Sequence, residues 1–426
     1  MVQNIINILS EGYNMKKNLL IVGAGGVAKV VAHKAAQHSD IFQTIHIASR
    51  KIDKCQSIIN SIKHKYPAIA SNLLKAHQLN AMNIEATKKL IADNNCTIVI
   101  NVGTAFLNMS VLRACIDTGA AYIDTAIHED PLKICETPPW YANYEWKHKE
   151  ECAEKGITAI LGAGFDPGVV NAYAALAATE YFDKITDIDI IDINAGNHGK
   201  WFATNFDAEI NFREFTGQVW SWQNNAWQSN EMFEIGHEWD LPIVGKSKAY
   251  MTGHDEIHSI SQNLNVPNVR FWMGFGDRYI NVFTVLKNLG LLSEQPIKTA
   301  EGQEIIPLKV VKAVLPDPAT LAPQYTGKTC IGDLIKGEKN GKKREIFIYN
   351  ISDHKQAYIE TESQAISYTA GIPPLAAAIL VAKDDWHVKK MVNIEELNPK
   401  PFLNLLNKIG LPSYIQENNK SIPICF

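Results

Sequence analysis

Two stretches of this chain carry residues whose types and spacing could do chemistry. In the first, the apolar run NLLIV is followed by Gly23-Ala24-Gly25-Gly26-Val27-Ala28 and then by a helix-like stretch. Gly23, Gly25 and Ala28 form G-x-G-x-x-A: one glycine for a tight turn, one for close approach of backbone to a pyrophosphate, and a small residue for helix–strand contact. Gly26 and Val27 complete the turn, where unpaired amides and the positive end of the helix dipole suit phosphates. Such spacing can also serve packing alone, but its position between a strand and a helix favours a dinucleotide. The second stretch, NAGNHGKWFATNFDAEINFRE, gathers Asn197, His198, Lys200, Trp201, Asp207, Glu209 and Arg213. It offers a titratable ring, cations, carboxylates and an aromatic face within one short span.

The next strand identifies the nucleotide. A carboxylate about 20 residues beyond the glycines would accept from the ribose 2′-hydroxyl of NAD. Here the strand ends Ala48-Ser49-Arg50-Lys51 instead. Ser49 and Arg50 can hold a 2′-phosphate by charge-assisted hydrogen bonds, so the expected cofactor is NADP. A solvated basic loop is the plainer alternative. Asn101, Gly103 and Thr104 end one strand, and Asp124 and Thr125 end the next, so these are expected to line the nicotinamide side. Asp166, in GFDPG, sits where a helix cap is the ordinary role for Asp, yet this turn lies at the carboxyl ends of the strands, where ligands bind.

The elements that must position these groups alternate. Strand-like and helix-like segments follow one another from Asn18 to Gly164, the pattern of a doubly wound parallel sheet covered on both faces. Beyond Gly164 the chain becomes strand-rich. ITDIDIIDI alternates with period two, and five of the nine tryptophans fall between Trp201 and Trp239. A hairpin is expected at Asn340-Gly341. The stretch SYTAGIPPLAAAILVAK returns to a helical pattern, with proline read as near its start. The fold class is therefore α/β, a Rossmann-type sheet with a second, inserted α+β domain. The division is 1–14, an extension before the more natural start at Met15; 15–164, dinucleotide-binding; 165–365, substrate domain; and 366–426, a helical C-terminal segment.

Composition narrows the function classes. With 426 residues and a net charge of −4 there is no basic excess to grip nucleic acid. No apolar run approaches the ~20 residues that span a bilayer, and the N-terminus lacks a basic leader. The seven scattered cysteines form no CxxC pair, which suits reduced thiols in a cytoplasmic protein. His254 and His258 have zinc-like spacing, but Asp255 stands where a metalloprotease has Glu, so no metal is expected and His254 and Glu256 read as polar residues of the second domain.

The segments GAGGVA, IASR, INVGTAF, YIDTA, GAGFDPGVVNAYAA, INAGNHGKWFATNFD and YTAGIPPLAAA resemble the saccharopine dehydrogenase-like family, from about Met15 to about residue 410. The resemblance implies a C-terminal segment packing back on the Rossmann unit and a homodimer formed through the second domain. It also implies NADPH-dependent reductive condensation of L-aspartate 4-semialdehyde with a diamine, either 1,3-diaminopropane or putrescine. Such substrates need a cation for the α-carboxylate and carboxylates or π faces for the ammoniums. Arg213 and Lys200 are candidates for the first role, Asp207, Glu209 and Trp201 for the second, with Asn197 as a polar contact. His198, Asp166 and Lys200 are the catalytic candidates, His198 because its ordinary pKa lies near neutrality. Two alternatives stay open: a saccharopine dehydrogenase acting on an amino-acid amine, and a non-catalytic NADP-binding sensor or assembly protein.

Overall fold

The run Lys17–Val22 is apolar at every residue but its first two, and its last four residues are buried, as a strand covered on both faces requires. In the computed structural model, which describes residues 16–132, 136–206, 208–215 and 218–426, this strand is central in a seven-stranded sheet. The order across it is Met391–Asn393, Ala159–Leu161, Ala121–Ile123, Cys96–Asn101, Lys17–Val22, Phe42–Ser49 and Leu74–Gln78. Every pairing is parallel. The expected extension 1–14 lies outside the described residues.

The second sheet has ten strands and is antiparallel except where Asn268–Gly274 runs parallel to Lys184–Asn194. Its centre is Lys184–Asn194, flanked by Asn268–Gly274 and Lys328–Lys339. Lys328–Lys339 and Lys342–Asp353 form the expected hairpin, with Asn340 and Gly341 both left-handed at its tip. One face presents Ile188, Ile190, Ile331 and Ile335 to the same core that holds Leu19, Ile21 and Val30 of the first sheet's layer. The two domains thus share one continuous core. The helices Ala208–Glu214, Asp277–Asn288 and Pro307–Val314 pack into a smaller cluster through Phe212, Phe283 and Leu308.

The C-terminal segment returns to the first domain, then leaves it. Helix Ala365–Ala382 packs on helix Gly26–Ala35, and Met391–Asn393 becomes an edge strand of the first sheet. The expectation of a helical tail fails at its end: Ser413–Glu417 and Lys420–Pro423 are strands that extend the second sheet from Lys342–Asp353. Pro373 and Pro374 lie in the middle of the 18-residue helix, not near its start. Burial along nearly the whole helix outweighs the backbone hydrogen bonds that prolines forfeit. By length and hydropathy this helix could also cross a membrane, yet 89% of it is buried inside the fold.

Contact between the two helices is close at Gly371, where a Cβ would lie 2.7 Å from Val30 Cβ and 2.9 Å from the Val27 carbonyl oxygen. At an open helical site Gly→Ala stabilises by up to about 1 kcal/mol. Here Gly371→Ala is expected to destabilise by about 1–3 kcal/mol through overpacking, read as a lower urea midpoint. An unchanged or raised midpoint would mean the helices have slack.

Candidate active site

The glycine turn forms a cradle at the carboxyl end of Lys17–Val22. Gly23 has φ +126°, and a Cβ there would meet the Val102 carbonyl oxygen at 2.7 Å, so neither its conformation nor its space admits a side chain. Gly25 caps helix Gly26–Ala35 without a side-chain acceptor, leaving the first amides open for phosphate. Ala28 is fully buried against the core, and Val27 packs beside it. An opening at this turn is lined by Gly25, Gly26, Lys29, Lys54, Gln364 and Ser367. The cradle fits a dinucleotide pyrophosphate.

At the tip of the next strand Arg50 is exposed, and Ser49 Oγ accepts from the Lys51 amide at 3.2 Å. Lys54 Nζ, 3.4 Å from Asp317 Oδ2, is a second cation at this corner that sequence reading passed over. Asn101 is buried and shapes its turn, with Oδ1 accepting from the Gly103 amide and Nδ2 donating to Asn108. Gly103 is exposed beside it and Thr104 half-buried. Asp124 is buried too: it accepts from the Gly162 amide at 2.7 Å and from Tyr122 Oη at 2.9 Å, tying two strand ends together. Thr125 is half-buried, in contact range of Gly164.

From Gly164 the chain doubles back on itself. Gly168, at φ +136°, sits so close to Gly164 that a Cβ would overlap its carbonyl oxygen. Asn171, not Asp166, caps the following helix by accepting from the Gly168 amide at 2.7 Å. Asp166 is left for another role, and it faces a set of buried charges. Asp192 pairs with Ile331 and Ile190 with Asp333, so the two aspartates project from the same face of the second sheet. His254 lies over this face, its ring stacked on Phe271 at 3.9 Å and 8°, its Nδ1 2.6 Å from Glu256 Oε2.

Acceptors outnumber donors here. Asp192 Oδ1, Glu256 Oε1 and both oxygens of the fully buried Asp333 find no donor among the described residues. Burial, reinforced by Asp192, raises the Asp166 pKa well above the carboxylate range. Burial raises Asp192 and Asp255 to about 6 each, and it raises Asp333 further, helped by Glu256 and Asp166. Burial pulls His254 down, but Glu256, Asp166 and Asp255 more than offset it, so the ring is held as imidazolium. The result is a chamber of carboxylates around one cation.

The segment after Asn194 borders this chamber. Asn194 Nδ2 donates to Tyr325 Oη, and Tyr325 stacks on His354 at 3.6 Å. Asn197 pairs through its backbone with Thr326. His198 meets Tyr325 edge-on and accepts from the Lys200 amide through Nδ1. Burial, then Arg278 and Lys200, lowers its pKa, which corrects the expectation of an unshifted group: at neutral pH His198 is uncharged. Trp201 is 69% exposed, with the Arg278 guanidinium 5.8 Å from its ring centre. Glu209 is held by Lys312 at 3.1 Å, beside the smaller cluster. Asp207 and the Arg213 side chain lie outside the described residues. The structure therefore brings Asp166 to the chamber and Asn197 and His198 beside Tyr325 at its border, with Lys200 and Trp201 further along the same segment, while Glu209 already has an ion-pair partner. Sequence reading missed Asp192 and Asp333, although aspartates inside the apolar strands DIDIIDI and CIGDLI were a signal of buried charge.

Known proteins resemble this chain along most of its length. Residues 19–160 match the saccharopine dehydrogenase NADP binding domain, and residues 164–411 match the saccharopine dehydrogenase C-terminal domain. The chain is 44% identical to the carboxynorspermidine synthase of Vibrio alginolyticus, over 95% of this chain and 98% of that one. It is 38% identical to the carboxyaminopropylagmatine dehydrogenase of Synechocystis, over 92% of this chain and 96% of that one. In fold it is similar to apo saccharopine dehydrogenase (L-Glu forming) from Saccharomyces cerevisiae, with a TM-score of 0.66 at 15% identity, covering 95% and 100% of the two chains.

If Arg50 holds the 2′-phosphate, Arg50→Ala should weaken NADPH binding by about 1.5–3 kcal/mol, the scale of a hydrogen bond to a charged group. NADH binding should change little. Titration of nucleotide fluorescence distinguishes this from an equal loss for both cofactors, which would assign Arg50 to the fold or the pyrophosphate.

Proposed function

The chain belongs to the saccharopine dehydrogenase family, and on that premise we propose that it catalyses NADPH-dependent reductive condensation of L-aspartate 4-semialdehyde with a diamine, 1,3-diaminopropane or putrescine. The product is carboxynorspermidine or carboxyspermidine, and the reaction belongs to polyamine biosynthesis. Similarity to carboxynorspermidine synthases across most of the chain supports this reading. The single observation that carries it is the acidic chamber. Buried carboxylate oxygens without donors suit a ligand that only donates, as an ammonium does. An amino-acid amine, which a saccharopine dehydrogenase would take, brings a carboxylate that the same chamber would repel.

The chemistry joins an ammonium and an aldehyde, expels water to give a C=N bond, and reduces that bond. When bound, NADPH supplies the hydride; the chain's task is to orient the partners and manage protons. Asp166 and Asp192 would hold the amine, with its distal ammonium kept charged. Lys200 and Arg278, the cations beside His198 and Trp201, would meet the α-carboxylate of the semialdehyde, with Arg213 as a further candidate.

We also read the protein as a cytoplasmic homodimer. The second sheet's other face carries Trp239, Trp272, Tyr349 and Tyr414 in one largely buried aromatic cluster, and the pairing we read runs through this domain, as the family resemblance implies. Light scattering at micromolar concentration should give twice the chain mass. A monomer would count against this assignment.

Two measurements test the reaction. NADPH consumption is expected with aspartate semialdehyde plus diaminopropane or putrescine, and not with glutamate or lysine as the amine; the reverse pattern overturns the reading. At pH 6 a bound ammonium favours the ionised forms of Asp192 and Asp255, whose pKa values lie near 6, so those groups must shed protons. Calorimetry of diamine binding in buffers of different ionisation enthalpy should therefore report proton release. Proton uptake would mean that the chamber receives an anion.

A further inference from the structure

Resting on the reaction just described, we propose that His254 is the proton donor that expels the hydroxyl of the carbinolamine, with Glu256 as the residue that positions it. Four features of the structure support the role. The ring is fixed in plane by Phe271 and along one edge by Glu256, at 2.6 Å from Nδ1. Among the described residues Nε2 is the nitrogen without a partner, and the ring keeps 13% of its surface accessible while Glu256 keeps none. Glu256 therefore anchors the ring from within the fold, leaving Nε2 as the nitrogen available to donate.

Position is the second feature. The next residue, Asp255, accepts through Oδ2 from the Ile127 amide, just past the strand Ala121–Ile123 of the first sheet. Gly164, which leads into Asp166, lies against Thr125 from the same loop. These two ties bring the His254 turn and the Asp166 turn to the carboxyl ends of the parallel strands, where a dinucleotide's reactive end is placed.

The third feature is charge. Asn268–Gly274 contributes the stacked Phe271 ring, and the titratable groups acting on His254 are Asp166 from its turn, Asp192 from Lys184–Asn194, and Asp255 and Glu256 from its own turn. All are acidic. The fourth is the contrast with His198, which faces Arg278 and Lys200 and is neutral at the pH where an acid is required.

The step balances. The amine nitrogen bonds to the aldehyde carbon, giving a carbinolamine. Nε2–H of His254 passes its proton to the hydroxyl oxygen, and the C–O bond breaks with its electron pair leaving on water. The nitrogen lone pair closes the C=N bond as an iminium. Neutral His254 recovers its proton from the ammonium group of the next amine, which must lose one to become a nucleophile.

The test compares the wild type with His254→Asn, His254→Gln and Glu256→Gln, each checked for thermal unfolding and NADPH affinity. Loss of a positioned proton donor costs about 10²–10⁴-fold in rate, so the His254 variants should lose kcat on that scale while KM for both substrates changes less than about threefold. The wild-type rate should fall on the alkaline side as the imidazolium loses its proton, above the ordinary histidine pKa. Glu256→Gln should move that limb to lower pH, which a merely structural role would not do, and His254→Asn should abolish it. A wild type that consumes NADPH together with a His254→Asn variant of unchanged kcat, or one that keeps the alkaline limb, overturns the role of His254 alone. A wild type inert with every semialdehyde–amine pair overturns the reaction, and this role with it. Should the His254 variants fail to fold, an alkaline limb unmoved in Glu256→Gln is by itself sufficient to reject the proposal.

Discussion

Carboxylates withdrawn from water must either find donors or take up protons, and this constraint governs the centre of the molecule. Asp166, Asp192, Glu256 and Asp333 come together where, among the described residues, His254 brings the positive charge. An isolated buried carboxylate costs far more than the net stability of a domain can spare, so the group neutralises instead. That is why burial raises the pKa values of Asp166, Asp192 and Asp333 together, and why one imidazolium is held so firmly. Without ligand the chamber holds protons; an ammonium is the partner that would replace them.

Such a concentration of charge survives because its supports are rigid. Asp192 and Asp333 sit on central strands of a ten-stranded sheet, where neighbours on both sides settle the register. A slip of one residue would turn both aspartates to the opposite face. The core beneath them is continuous with that of the parallel sheet, so the nucleotide cradle and the chamber are parts of one packed body. Helix Ala365–Ala382 closes this body from the far end of the chain, its Gly371 against Val30 and its Ser367 against Gly26. Preorganisation of this kind lets charges act without reorganising during reaction.

The two histidines near the site show how surroundings divide one residue type. His198 is flanked by Lys200 and Arg278, and burial works in the same direction as those cations. His254 is buried as well, but four carboxylates oppose the desolvation and win. In sequence His198 appeared the better proton carrier, in a polar loop between glycines, while His254 resembled half of a metal motif. The distinction comes from neighbours at long chain separation: Asp166 and Asp192 lie 88 and 62 residues from His254.

What the sequence alone determined is local or periodic. The glycine turn, the alternation of strands and helices, the Asn340-Gly341 hairpin and the absent carboxylate after Ala48 depend on residues a few positions apart. The chain must satisfy them wherever they fall. The family was legible for the same reason, through short motifs that keep their spacing. Tertiary structure decided the rest. Only sheet register sets Asp192 beside Asp333, only burial from end to end allows Pro373 and Pro374 inside a helix, and only an open sheet edge draws residues 413–423 out of the expected helical tail. Aspartates inside apolar strands announce buried charge, but which of them meet has no local signature, because that energy depends on who stands opposite and on how completely water is excluded, and both belong to the packed structure.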